Sequence, residues 1–427
     1  MKTTAPRGTF DLLPEEVLVW SWVEESIKRV FHTYGYGEIR TPIFEHTELF
    51  QRGIGETTDI VEKEMYTMTD KGGRSITLRP EGTAPVVRSF IEHKLFARAG
   101  VTRLFYLGPM FRQERPQAGR FRQFHQFGLE LLGEEGPMAD AEVITLAVDL
   151  YKELGLTDLE VHLNSLGCAE CRGRYRTALL SYFSQTKATL CESCQDRLER
   201  NPLRVLDCKN PKCRELMKEI PSIQNYICSD CAQHFTQLCN YLDEVKVNYE
   251  IDSRLVRGFD YYTKTVFEII NQDLGAQSAV CGGGRYDRLV QECGGPPTPG
   301  VGFASGFERL LTTLEQKGKL PNRSLTPQVY LVVLDKKYAT AGYGLGTTLR
   351  RQGIETAVSL KVKSLKAQMK TADKLGASFT LIIGEEEWEN HQVTLRDMRG
   401  SKQIRVEWER VPEILRKELA EKAPDPK

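Results

Sequence analysis

The sequence predicts an α+β fold: an antiparallel-sheet body at 1–325, a small cysteine-rich domain inserted in it at about 168–240, and a C-terminal α/β domain at 326–427. Three observations carry that reading. Polarity alternates with period two on both arms of the segment from Leu104 to Leu131, as in an antiparallel hairpin. Nine of the eleven cysteines fall between Cys168 and Cys239, in a charge-rich stretch that separates two strand-rich regions. After LPNRSLTPQ the pattern resets to short strands alternating with helices.

A chain of 427 residues is long enough for two or three cores. With 58 Lys or Arg against 58 Asp or Glu, the formal net charge is zero. That excludes a uniformly basic nucleic-acid binder and leaves room for local basic grooves. The N-terminal MKTTAPRGTFDLLPEE has no apolar core, and no stretch approaches the ~18 apolar residues of a membrane span. An odd number of clustered cysteines fits a reduced cytoplasmic protein better than a secreted disulfide scaffold.

Taken in order, the run after Pro14 places Val19, Trp22, Val23, Ile27 and Val30 on one helical stripe, closed by Gly35 and Gly37. EIRTPIFEHTELF is extended, with Pro42 at an edge or an irregular position. ITLRPEGTAPVVRSFIEH passes from strand to helix, with Thr83 as the expected cap and Pro85 in the first turn. A strand-like arm from Leu104 to Glu114 follows, then a loop from Arg115 to Phe121 and a return arm to Leu131. Ala139 to Leu154 is helical, and LEVHLNSLG is a strand that leads into the insertion. Beyond it, VNYEIDSRLVRGFDYYTKTVFEII is strand-rich. AQSAVCGGGRYDRLVQECGG reads as strand, glycine-rich turn and short helix. In VGFASGFERLL a strand enters a helix, and Ser305 with Glu308 match a capping box. In the C-terminal part VYLVVLD, IETAVSL and SFTLIIGEEE are strands separated by helices at Tyr338–Arg351 and Lys361–Leu375. HQVTLRD and QIRVEWE are further strands before a final helix from about Val411. This part carries 18 Lys or Arg and 14 Asp or Glu, a net of +4.

The hairpin concentrates the chemistry. Its first arm presents Tyr106, Gly108, Met110, Arg112 and Glu114 on one face, and its second arm presents Phe124, Gln126, Gly128 and Glu130. Phe105, Leu107, Phe127, Leu129 and Leu131 face the other way. Arginine, carboxylate, amide and a coplanar phenyl ring together suit a planar anionic ligand. Neither a G-x-x-x-x-G-K-[ST] loop nor dinucleotide glycine spacing occurs, so a nucleotide has to be held by arginine forks. Arg112, Arg120, Arg257 and Arg309 are the candidates, and Arg309 falls near a helix N-terminus where anions are favoured.

These same segments resemble a known family. FRQERPQAGRFRQFHQFGLE is similar to motif 2 of class II aminoacyl-tRNA synthetases, GVGFASGFERL to motif 3, and YGYGEIRTPIFEHTELF to motif 1. LRPEGT, LVRGFDYY and CGGGRYD together resemble the histidyl-tRNA synthetases, with APRGTFDLLP and NPLRVLDCK extending the match over essentially the whole chain. The resemblance implies a class II catalytic domain, a C-terminal anticodon-binding domain, a homodimer built on motif 1, and ligation of histidine to tRNA(His). The substrates are then ATP, with Mg2+, histidine and tRNA. It further implies that Arg112 and Arg257 act at the α-phosphate and Arg309 at the γ-phosphate, with Arg120 in the ATP site and Glu114 and Phe124 around adenine. Glu81, Gly82, Thr83 and Gln126 are implied around the histidine amino group, and Glu130, Tyr261 and Tyr262 around its imidazole. A regulatory, non-catalytic relative is the rival reading. The retained LVRGFDYY and the C-terminal domain favour the ligase.

The cysteine spacings Cys168-x2-Cys171, Cys191-x2-Cys194, Cys208-x4-Cys213 and Cys228-x2-Cys231 are those of tetrahedral zinc ligands. The implied catalysis needs no metal there. The sequence leaves structural zinc and packed reduced thiols both open.

Overall fold

The computed structural model describes residues 3–55, 58, 60–116, 119–271, 279–321, 325–400 and 402–422. It divides into two compact units, Met1–Asn322 and Arg323–Lys427. The strands are β1 (Gly37–Glu38), β2 (Phe44–His46), β3 (Thr67–Thr69), β4 (Ser75–Leu78), β5 (Thr102–Phe111), β6 (Gln123–Leu132), β7 (Glu160–Ser165) and β8 (Tyr249–Ile251). They continue with β9 (Thr263–Ile270), β10 (Ala279–Arg285), β11 (Gly300–Gly306), β12 (Val329–Val333), β13 (Thr356–Val358), β14 (Phe379–Ile383), β15 (Gln392–Asp397) and β16 (Gln403–Glu407).

The first unit is built on one sheet in the order β1-β5-β6-β11-β10-β9-β7-β8. Pairing is antiparallel from β5 through β7, while β1 on β5 and β8 on β7 add a parallel strand at each edge. A small sheet β2-β4-β3 stands apart from it. Phe105, Phe127, Leu129, Leu131, Phe267 and Phe303 are buried in a core shared with the helices Pro14–Thr33, Pro137–Glu153, Ser229–Glu244 and Phe307–Gln316. Each such side chain removed from water contributes ~1.5–3 kcal/mol. The stripe of the first helix is centred on Trp20, Val23, Ile27, Val30 and Phe31 rather than on Val19 and Trp22, because Trp20 stacks on Phe307 with centroids 4.3 Å apart.

The cysteine-rich segment is helical, with Ala169–Phe183, Glu192–Arg200 and Pro211–Leu216 before Ser229–Glu244. Three expectations differ from the structure: one turn, one strand end and one helix boundary. The glycines of CGGGRYD lie within β10 and not in a turn. The strand of SFTLIIGEEE stops at Ile383, and Glu385–Glu389 is a short helix. The helix expected at Lys361–Leu375 spans Leu365–Lys374, where the Ser364 hydroxyl accepts from the Ala367 amide at 3.4 Å. In the second unit β13-β12-β14 are parallel and β14-β15-β16 antiparallel, an α/β arrangement. No helix among the described residues is long and apolar enough to cross a membrane.

Candidate active site

Antiparallel register fixes the face that carries the site. Gly108 pairs with Gln126, Met110 with Phe124, Tyr106 with Gly128 and Leu104 with Glu130. Phe124, Gln126 and Glu130 therefore project together from β6, away from the core that holds Phe127 and Leu129. The first arm ends at Phe111, so Arg112 and Glu114 lie beyond the strand, although Arg112 N–H still bonds to the Arg122 carbonyl at 2.9 Å. Glu81, Thr83, Arg112, Glu114, Arg120, Phe124, Gln126, Arg257, Tyr261, Tyr262 and Arg309 line one cavity of about 430 Å³.

Gly82 and Glu130 do not line it. Gly82 is the residue before the helix Thr83–Glu92, where a Cβ would overlap the Tyr106 ring. Thr83 is the first residue of that helix and not its cap. The carboxylate of Glu81 caps it, accepting from Thr83 N at 2.6 Å and Ala84 N at 2.8 Å. Burial pushes the Glu81 carboxyl upward in pKa against those two amide bonds. Glu130 is 1% exposed and sits behind the cavity wall, where the Tyr286 hydroxyl donates to its Oε2. Its Oε1 is buried without a hydrogen-bond partner, as is Oε1 of Gln126. Burial raises the Glu130 carboxyl to about 8, opposed by Tyr286.

That shift has a testable sign. In the unfolded chain a glutamate ionises near ~4.3, so the native state holds an extra proton between that value and about 8. Stability is highest below this window and falls as pH rises through it. Glu130→Gln removes the ionisation, so its thermal midpoint relative to wild type should climb between pH 5 and pH 8. Parallel profiles for the two proteins would refute the assignment.

Arg112 and Arg120 come from the connection between β5 and β6, Arg257 from the loop after β8, and Arg309 from the helix Phe307–Gln316. Arg112 donates Nε–H to the Pro80 carbonyl at 2.9 Å, and its guanidinium lies 5.2 Å from the Phe124 ring centroid, covering part of that ring. Arg120 pairs with Glu114 at 2.9 Å. Arg309 donates to the Ala279 carbonyl at 2.9 Å. Ser305 and Glu308 form no capping box. Ser305 sits in β11 with its hydroxyl donating to the Val280 carbonyl at 2.8 Å, and Glu308 accepts from His125 N at 2.9 Å. Arg257 projects from the loop between β8 and β9 and pairs with Glu268 of β9. Burial pushes its pKa down, but Glu268, with Tyr262, Cys281 and Tyr261 beside it, raises it on balance and keeps the guanidinium charged. Gly282 pairs with Glu268 in the neighbouring strand, and a Cβ there would strike the Arg257 guanidinium. Gly282→Ala should therefore displace Arg257 and depress activity without unfolding the sheet. Wild-type activity for this variant would show that Arg257 is not held in place by the bare strand.

Glu268, Tyr286 and the insertion's Arg204, which donates to the Gly258 carbonyl, were not singled out from sequence. Tyr286 stood inside the quoted CGGGRYD and Arg204 inside NPLRVLDCK, neither with a role attached.

The histidyl-tRNA synthetase family model matches residues 8–310. The chain belongs to the histidyl-tRNA synthetase family. An anticodon binding domain model matches residues 328–418. A synthetase relative from Desulforamulus reducens, named histidine–tRNA ligase, is 54% identical over 406 residues, covering 95% of this chain and 97% of that protein. Another of that name, from Halothermothrix orenii, is 53% identical over 408 residues, with 95% and 97% covered. The crystal structure of an apo histidyl-tRNA synthetase from S. aureus superposes with a TM-score of 0.83 at 37% identity, covering 97% of this chain and 100% of that one.

Proposed function

We propose that the cavity is where this class II histidine–tRNA ligase activates its amino acid, with Arg112, Arg257 and Arg309 holding the triphosphate of ATP and Arg120 beside them. Glu81, Thr83 and Gln126 hold the histidine ammonium, and Glu130 with Tyr261 and Tyr262 holds the imidazole. The observation supporting this most is the meeting in one cavity of four arginines with the orphaned acceptor Gln126 Oε1, while the orphaned acceptor Glu130 Oε1 lies behind the cavity wall. A polyphosphate uses the first set, and ring and ammonium N–H donors use the second.

Ligation runs in two steps. A carboxylate oxygen of histidine attacks the α-phosphorus; as that O–P bond forms, the bond to the bridging oxygen breaks and pyrophosphate leaves. A hydroxyl of the terminal tRNA ribose then attacks the acyl carbon and AMP departs. No protein nucleophile is needed, so the residues act by positioning and by stabilising charge. Glu114 and Glu268 are already paired with arginines and Glu308 with His125. Mg2+ accordingly enters with the ATP phosphates as part of the substrate. Glu114 and Phe124 flank adenine in this reading, with the free part of the phenyl ring stacking on the base.

The region from 326 onward reads the anticodon, a role favoured by the match at 328–418. The motif 1 stretch, with Ile43 and Phe44 exposed, forms the homodimer contact. A monomer at micromolar concentration in sedimentation would count against that. All eleven cysteines are free, which suits the reducing cytoplasm.

Histidine-dependent exchange of pyrophosphate into ATP tests the whole reading; no exchange by folded protein would defeat it. Glu130→Gln should raise the histidine concentration needed for half-maximal exchange by about 2- to 10-fold, the value of a hydrogen bond between neutral groups, with a smaller change in maximal rate.

A further inference from the structure

Eight cysteines of the insertion gather into two foursomes far apart in sequence. Cys168 and Cys171 meet Cys228 and Cys231, and Cys191 and Cys194 meet Cys208 and Cys213. Within each set all four sulfurs lie within 4.8 Å of one another. A zinc ion with Zn–S bonds of about 2.3 Å requires neighbouring sulfurs about 3.8 Å apart. Cys168 and Cys171 Sγ are 3.5 Å apart, and Cys191 and Cys208 Sγ are 3.8 Å apart. These separations exceed a disulfide bond of about 2.05 Å, and all eight thiols are free. They are also too close for ligands spread around a multi-iron cluster.

The local architecture repeats. Cys168, Cys191 and Cys228 each immediately precede a helix, and Cys171, Cys194 and Cys231 are each its third residue. Cys213 is likewise the third residue of the helix Pro211–Leu216. Sulfur at such positions lies where the first amides of a helix have no partner within it. Amides do point at sulfur. Cys228 N donates to Cys171 Sγ at 3.0 Å, Cys191 N to Cys213 Sγ at 3.3 Å and Asn210 N to Cys208 Sγ at 3.4 Å. Arg174 Nη2 lies 3.7 Å from Cys171 Sγ, a cation beside what would be a doubly negative centre.

We propose that the insertion carries two structural tetrathiolate zinc sites, one at Cys168, Cys171, Cys228 and Cys231 and one at Cys191, Cys194, Cys208 and Cys213. Each binds one Zn2+ as four thiols release four protons, with no redox change. The first ties the point where the chain leaves β7 to the start of the helix that returns to the core. The second closes the loop carrying Asn201, Arg204 and Asp207. Asn201 donates to Asp260 at 2.8 Å, Arg204 donates to the Gly258 carbonyl, and Arg204 and Asp207 line the active-site cavity. The second zinc therefore acts as a clamp that positions this loop against the segment bearing Arg257. This half of the proposal rests on the site reading above; the metal content does not.

The decisive measurement is elemental analysis of the full-length chain, expressed with zinc and purified under reducing conditions without chelator. About two zinc ions per chain are expected. Cys171→Ser and Cys213→Ser should each lower the content by about one. Wild-type protein with less than about 0.2 zinc per chain, or with iron in place of zinc, overturns the proposal, and neither result depends on a variant folding. Cobalt substitution should give the strong visible bands of tetrahedral Co2+ together with sulfur-to-cobalt charge transfer; weak octahedral bands overturn the assignment. If Cys213→Ser loses its zinc yet keeps the full rate of pyrophosphate exchange, the clamp is wrong. A rate reduced about tenfold or more, with the first zinc retained, supports it.

Discussion

Replacing Arg257 by alanine is expected to slow histidine-dependent pyrophosphate exchange by about 10²- to 10³-fold while moving the apparent affinity for histidine only a few-fold. Arg257 is assigned to charge that grows as the α-phosphorus is attacked, so its removal costs the transition state more than the bound substrates. Glu268 anchors the guanidinium from one side and bare Gly282 lies beneath it. Lysine at the same position retains the charge but not the fork, and should recover only part of the rate. A change confined to histidine affinity would contradict the role.

The second large effect is on stability. Arg285 is fully buried and all five of its N–H groups have partners. Nε meets Asp140 at 3.0 Å, Nη1 meets the Glu134 carbonyl and Asp287, and Nη2 meets the Gly136 carbonyl and Asp140. Asp140 is fully buried as well, with His234 at 3.4 Å. Burial opposes its ionisation, yet Arg285 holds its pKa down to about 2. The wild-type pair thus adds stability above the normal aspartate range, and that stability is lost as pH falls through about 2. Arg285→Met strands the carboxylate and should destabilise the first unit by about 3–5 kcal/mol near neutral pH. The deficit should shrink on acidification, as the stranded group takes up a proton. Calorimetry at pH 5 and pH 8 checks both size and sign, and a midpoint unchanged from wild type would refute the prediction.

The hairpin face was legible because strand parity needs only local spacing: once the two arms pair, Phe124, Gln126 and Glu130 have no choice of side. Partners set by long separations were not legible. Arg285 finds Asp140 from 145 residues away, and nothing near either residue signals it. The capping box at Ser305 and Glu308 was a sound local pattern that lost to tertiary partners, Val280 and His125. Likewise the cap at Thr83 gave way to the longer reach of Glu81. Cysteine spacing announced pairs but not which pairs would meet, since that depends on how four helix starts are brought together.

The glycines of β10 were read from sequence as a turn, yet with those of β11 they sit in paired strands at the heart of the sheet. A Cβ at Gly283 would strike the Gly302 carbonyl, and one at Gly302 would strike Glu130. Here the site is made by subtraction, as empty volume written into the chain one hydrogen at a time. Its capacity is accordingly brittle in a way its fold is not. A handful of added methyl groups would leave the strand order recognisable while filling the mould, so a working ligase and an inert scaffold of the same architecture stand only a few single-residue changes apart.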